Sequence, residues 1–307
     1  MTQALNFDRS MDFDYDVATE VAPGVRRVVA RNPGPLTFKG TNTYLIGRRD
    51  VAVIDPGPND IVHRRAIIAA AGRGRITHIF LTHTHRDHSA GIAALQAETG
   101  AITCGFAGGD ARRAAAIKHA EARAFLEADF IPNIRLEDGE SITAGSDWAL
   151  KAVHTPGHAP DHLCFDLPGA GVLFSGDHVM GWNTTVIAPP EGRMSDYMAS
   201  LEKLLANGEQ AHDVYLSGHG EAIREPHRLV RSYLLHRRMR ENMILDAVKE
   251  GLERVAEITD RIYKGIAPSV LSAAKLSVLA HLEHLLERGL VSCDGDPSLH
   301  RHFRPLT

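Results

Sequence analysis

The sequence predicts an α/β fold that gives way, near residue 224, to helices closed by a small β-hairpin. Two observations carry this. Short β-branched runs bounded by Gly and Pro alternate with helical stretches over the first two-thirds of the chain. Beyond Arg224 long helical patterns follow one another, and an Asp294-Gly295 turn separates two last strand-like runs, as in a winged helix. We therefore divide the chain into an N-terminal arm (1–20), an α/β domain (21–223) and a winged-helix-like domain (224–307).

Residues 1–20 are polar and acidic and read as a loose arm. Strands are expected at Val25 to Ala30, Thr43 to Ile46 and Val51 to Ile54. Asp60 to Ala71 reads as a helix capped by Asn59 or Asp60 and stopped by Gly72. A buried strand, Ile76 to Thr82, leads to a helix from Ala90 to Glu98 and a short strand at Ile102 to Cys104. Asp110 to Ala128 is Ala/Arg/Glu-rich and helical in pattern. Strands follow at Ser141 to Thr143, Trp148 to His154, Leu163 to Leu167 and Val172 to Ser175. Ser195 or Asp196 caps a helix running to Ala206, and Val214 to Ser217 is one more strand. The C-terminal part holds helices over Pro226 to Lys249, Ile258 to Lys264 and Leu271 to Arg288, then strand-like Leu290 to Ser292 and Leu299 to Phe303.

Composition excludes several classes. The 307 residues are 44% hydrophobic and 23% charged, so the chain is globular rather than disordered. A net charge of −4 carries no global signal for nucleic acid. No apolar run nears the ~20 residues of a membrane span, and the first residues lack the features of a signal or transit peptide. Three scattered cysteines suit a reducing, cytoplasmic setting; Cys104 and Cys164 sit in apolar strands as core residues. The unusual count is 18 histidines.

Four strand ends collect the chemistry. Thr82-His83-Thr84-His85-Arg86-Asp87-His88 places three imidazoles and a carboxylate within six residues, a set that suits a borderline metal such as zinc. Thr155-Pro156-Gly157-His158, Ser175-Gly176-Asp177-His178 and Ser217-Gly218-His219-Gly220 each follow a predicted strand. A single His after a turn is more often a surface residue; four strand ends delivering His or Asp together are not a surface accident.

This order of motifs resembles the metallo-β-lactamase superfamily. Gly40-Thr41-Asn42-Thr43-Tyr44-Leu45, Asp55-Pro56-Gly57, Thr184-Thr185-Val186 and Tyr197-Met198, with the C-terminal winged helix, narrow the resemblance to its β-lactamase-like protein 2 group. The resemblance implies an αββα sandwich, two mixed sheets flanked by helices. It implies a binuclear site, with His83, His85 and His158 on one zinc and Asp87, His88 and His219 on the other. Asp177 bridges the two, and Asp87 is a candidate proton shuttle. Iron or manganese could replace zinc. A metal-bridging hydroxide would then attack a small anionic ester, thioester or lactone.

The same resemblance keeps an endoribonuclease acting on single-stranded RNA open, with the basic run His236-Arg237-Arg238-Met239-Arg240 as contact surface; more often such a run is a solvated helix face. Two other readings are an iron-dependent sulfur oxygenase and a non-enzymatic winged-helix regulator. A diiron oxidoreductase is disfavoured because that type carries Glu where this chain has His85, and strict β-lactamase activity is not favoured. A homo-oligomer is left open. Secondary candidates are Asp161 and His162 as supports for the ligands, His178 facing the pocket, Lys39, Thr41 and Asn42 reaching substrate, and Trp182, Asn183 and Thr184 as pocket wall. Ser175 and Ser217 have no base at motif spacing, so a serine triad has little support.

Overall fold

The structure is a computed structural model; it describes residues 5, 7–106, 125–127, 129–145, 147–206, 208 and 211–306. Two mixed sheets lie face to face. The first holds β1 (Thr19–Ala22), β2 (Val25–Val29), β3 (Asn42–Ile46), β4 (Asp50–Ile54), β5 (Arg75–Phe80), β6 (Ile102–Phe106) and β7 (Ile134–Leu136) in chain order. It is antiparallel through β4 and parallel from β4 to β7. The second holds β8 (Ser141–Ala144), β9 (Trp148–His154), β10 (Leu163–Leu167), β11 (Val172–Gly176) and β12 (Val214–Ser217), with only β11 and β12 parallel.

The period of two along each strand sorts its side chains between layers. In β4, Ala52 and Ile54 face the other sheet while Val51 and Val53 face outward. In β10, Leu163, Phe165 and Leu167 face inward and Cys164 faces out. The inter-sheet core is aromatic at its centre: Phe80 and Phe165 meet edge to face at 5.2 Å. Outside the first sheet, α1 (Ile61–Ala71), the short α2 (Arg86–Ser89) and α3 (Ile92–Thr99) follow β4 and β5 in the chain. Ile67 and Leu95 pack there on Leu45, Val53 and Ile79. Asp60 caps α1, its carboxylate accepting the Val62 N–H at 2.6 Å.

Outside the second sheet lie α4 (Met194–Ala206) and α5 (Pro226–Lys249), followed by α6 (Val255–Ile262), α7 (Leu271–Glu287) and the hairpin β13 (Val291–Cys293) with β14 (Phe303–Pro305). The first half of α5 gives Val230, Tyr233 and Leu234 to the core over the sheet. Its second half gives Ile244, Ala247 and Val248 to a separate helical core with Val255, Val278, Leu282 and Phe303. No helix among the described residues is long and apolar enough to cross a membrane.

Several expectations change. The described part of the arm is anchored, not loose: Leu5 and Phe7 pack on the outer core, Asp8 N–H bonds Gly181 O at 3.0 Å, and Tyr15 Oη donates to Lys39 O at 2.8 Å. Its acidic residues are partly consumed locally, Asp16 pairing with Arg31 at 2.9 Å. Helix α4 begins at Met194, so Ser195 and Asp196 lie in its first turn; the Arg193 carbonyl already accepts from Tyr197 N–H. Helix α6 starts at Val255, where Glu257 accepts the Arg254 N–H. Strand β14 comes later than expected because Asp294 binds His302 at 3.1 Å and closes a wider loop. The 110–128 helix falls mostly outside the described residues; its tail is not helical, since Leu126 pairs with His85.

The α5–α7 contact holds a buried polar knot. Glu241 accepts from His284 at 2.5 Å and from Arg288, with His281 Nδ1 at 3.7 Å. Burial pushes His281 down to about 4, against the opposing pull of Glu241; Arg237 and His284 add to the depression. A histidine held below its unfolded value costs stability once the unfolded chain takes up a proton. Stability should therefore fall as pH drops from about 6.5 to about 4. In thermal unfolding against pH, His281→Leu should flatten that part of the curve.

Candidate metal centre

The strand ends of both sheets meet at one rim. There the loop after β5 delivers His83 and His85, α2 delivers Asp87 and His88, and the turns after β9, β11 and β12 deliver His158, Asp177 and His219. Three overlapping groups result: His83, His85 and His158; His83, His88 and Asp177; Asp87, His88 and His219. Within each, one donor atom per residue lies within 4.8 Å of the others. All seven residues singled out by the motifs are thus brought together.

Asp177 faces both sides. Its Oδ1 is 3.5 Å from the Nε2 atoms of His88 and His219, and its Oδ2 is 3.8 Å from His158 Nε2. Asp87 Oδ2 sits 3.3 Å from His219 Nε2 and 3.4 Å from His88 Nε2.

The far nitrogen of each imidazole is engaged elsewhere. His88 Nδ1 is 2.9 Å from Asp55 Oδ2, His158 Nδ1 is 2.7 Å from Val186 O, and His219 Nδ1 is 3.1 Å from Gly40 O. His85 turns the other way, with Nε2 at 3.1 Å from Glu191 and Nδ1 inward. His83 Nδ1 meets Thr82 Oγ1 at 3.0 Å; that hydroxyl donates to Asp55 and so accepts from the ring. A carboxylate or carbonyl partner takes the N–H, which leaves a lone pair on the inward nitrogen.

The donor set fits a cation. Asp177 Oδ1, His88 Nε2 and His219 Nε2 are buried with no hydrogen-bond partner, a costly arrangement unless a ligand satisfies them. A Cβ on Gly218 would lie 2.6 Å from Asp177 Oδ1 and 2.6 Å from His88 Cε1, so only glycine admits this approach. The carboxylates also draw positive charge into the site, as protons on the rings or as a cation in their place. Burial would raise Asp177, yet His219 and His88 hold it well below the carboxylate range. Burial would lower His85 and His219, yet Glu191 and Asp177 respectively carry each up to about 9. Burial and the neighbouring imidazoles hold His83 far down.

The secondary candidates divide. His162 supports the site: its Nε2 accepts the Asp177 N–H at 3.1 Å, and its Nδ1 meets Thr155 Oγ1. Asp161 accepts from Thr84 Oγ1 at 2.7 Å, beneath the first motif. His178 does not face the pocket; it turns into the core against Tyr197, ring centroids 4.9 Å apart, and burial pushes it down to about 3. Thr41 and Asn42 are buried brackets, Asn42 Nδ2 donating to Ser217 O and Gly220 O around the His219 turn. Lys39 lies above the Phe38 ring, and Trp182 stacks on Phe38 at 4.9 Å. Asn183 Oδ1 accepts from the Thr184 N–H. Ser175 and Ser217 spend their hydroxyls on Val179 O and His219 O. Sequence reasoning missed the outer partners: Asp55, known only as part of a turn and motif, Glu191, and the Gly40 and Val186 carbonyls. Carbonyls carry no residue signature; Glu191, 106 residues from His85, had only its acidity to mark it.

Two outcomes test this geometry. Asp55→Asn should weaken divalent-ion affinity about 10–100-fold, read by chelator competition. Gly218→Ala should lower bound metal, read by elemental analysis, because Asp177 or His88 must move aside.

Residues 36–219 match the metallo-beta-lactamase superfamily, and residues 255–300 match the beta-lactamase associated winged helix domain. A beta-lactamase-like protein 2 homolog of Drosophila melanogaster is 31% identical over 284 residues, covering 88% of this chain and 90% of that one. An atrochrysone carboxyl ACP thioesterase of Claviceps purpurea (strain 20.1) is 27% identical over 243 residues, 76% of this chain and 68% of that one. Among solved structures, a metallo-beta-lactamase family protein from Thermus thermophilus superposes with a TM-score of 0.75 at 23% identity, covering 94% of this chain and all of that one. With its His/Asp clusters, the fold implies a divalent metal and a hydrolase. The chain belongs to the metallo-β-lactamase superfamily, in the branch that carries a C-terminal winged helix.

Proposed function

We propose that the protein is a binuclear zinc hydrolase acting on a small anionic acyl substrate, a thioester first among esters and lactones. One observation carries the reading: five imidazoles, each with its outer nitrogen engaged, aim their inner nitrogens at two carboxylates. His83, His85 and His158 would hold one ion, Asp87, His88 and His219 the other, and Asp177 both. Two divalent ions bound there would supply Lewis acidity and bring the pKa of a shared water toward about 7.

The chain's own residues do the rest. Asp177 offers one oxygen to each side, so a single carboxylate sets the spacing of the two halves. Asp87 has a 30% accessible side chain, against 10% for Asp177, so it is the carboxylate of the two that meets the mouth of the site. Two ions offset by two aspartates leave the pocket positive, which favours a carboxylate or phosphate near the scissile bond. The thioester preference draws on the thioesterase named among the relatives.

The basic run lends the RNA reading less support than its sequence suggests. In the run 236–240, Arg237 is buried, Arg238 pairs with Glu202 at 2.8 Å, and Arg240 lies 4.5 Å over the Tyr263 ring. That divides one basic face into three separate contacts.

Purified protein should hold about two zinc ions per chain and hydrolyse acyl thioesters in a chelator-sensitive way. Asp177→Ala and His83→Ala should lose bound metal and turnover together; full activity in either would sink the assignment. Bound iron would turn attention to the oxygenase reading. Cleavage of labelled single-stranded RNA, lost in Asp177→Ala, would replace the acyl substrate with a phosphodiester.

A further inference from the structure

The segment from Asp177 to Val186 carries a metal-facing carboxylate at its start and the carbonyl that aligns His158 at its end. It holds no helix or strand, so its backbone groups must be satisfied from outside. Thr185 Oγ1 donates to Asp177 O at 2.7 Å and sits 3.0 Å from His178 O. Tyr197 Oη donates to His178 O at 2.9 Å. Tyr233 Oη, from α5, lies between the Met180 and Asn183 carbonyls and donates to them.

Arg237, one turn further along α5, closes the far end. Its Nη2 donates to Thr185 O while the guanidinium lies 5.2 Å over the Tyr197 ring. The residue is 2% exposed and makes no ion pair with a carboxylate among the described residues, its neighbour Glu241 pairing with His284 and Arg288 instead. A buried cation without an acid is costly, and here a carbonyl and a ring face receive it. A planar guanidinium can stack flat on a ring and donate in its own plane at once, a geometry that the tetrahedral donors of an ammonium reproduce less well.

We propose that Arg237 is a positioning residue of the metal centre. It pins the Thr185–Val186 peptide, so that Val186 O holds the His158 ring and Thr185 holds the Asp177 backbone. The C-terminal helix thereby sets the geometry of a ligand on each side of the site. This rests on the ligand assignment proposed above.

The test is zinc affinity by chelator competition, using Zn²⁺ alone as probe, on the full chain. The variants are Arg237→Met, Arg237→Lys, Thr185→Val and a control, Ile244→Ala, which opens the helical core further along the same helix. Arg237→Met and Thr185→Val should each bind zinc about 10–100-fold more weakly. Arg237→Lys should recover part of that loss. Ile244→Ala should lower the melting temperature and leave zinc affinity unchanged. Wild-type affinity in Arg237→Met or Thr185→Val overturns the inference, as does an equal loss in Ile244→Ala. If Arg237→Met does not fold, Thr185→Val decides the matter. Failure of the wild-type chain to bind zinc removes the ligand assignment itself, and this inference with it.

Discussion

A single buried carboxylate, Asp55, holds the centre together. It stands just past β4, beside the end of β5, because those strands pair in parallel as far as Ile54 and Phe80. Oδ1 accepts the Thr82 N–H, and Oδ2 accepts the Thr82 hydroxyl and faces His88 Nδ1. Its backbone adopts φ +51°, a left-handed conformation that Asp tolerates better than most residues and that turns the side chain under the His83–His88 loop. From this one group the orientation of His88 follows directly. That of His83 follows through Thr82, and the loop that carries four of the seven clustered residues starts from a fixed point.

Much of this was legible in the chain, and the reason is local. Strands and helices show in their periodicity, and His and Asp in short motifs at strand ends are visible because ligand chemistry demands particular side chains. Gly72, Gly100 and Gly289 fall where predicted helices stop, and all three take positive φ. What was not legible is long-range. The arm's docking through Asp8 and Gly181 joins segments that share no pattern. His178 is a pocket candidate only by its place beside Asp177, and the turn sends these neighbouring side chains in different directions. The basic run on α5 looked like one face; helical geometry spreads consecutive residues around the axis, so Arg237 and Arg238 meet different surroundings.

The outer contacts of the five imidazoles come from positions as far apart as Gly40 and Glu191. No short segment could assemble them. Ion binding is therefore tied to the closed sandwich: both sheets must be in register before the inner nitrogens converge. The same logic explains why glycine stands at Gly157, where φ is +138° and a Cβ would meet Tyr197 Cα at 2.3 Å. The His158 turn rests directly on α4, with Arg193 N–H bonding Gly157 O at 2.8 Å.

Helix α5 belongs to two cores at once, covering the second sheet with its first half and founding the helical domain with its second. Such a beam has an evolutionary consequence. A gene fusion or module exchange cut at the start of α5 would strip Val230, Tyr233 and Leu234 from the sheet. A cut in the middle of the helix would break both cores. The catalytic half and the winged-helix half could be inherited or lost only as a unit, or with an incoming helix that already matched the sheet it had to cover.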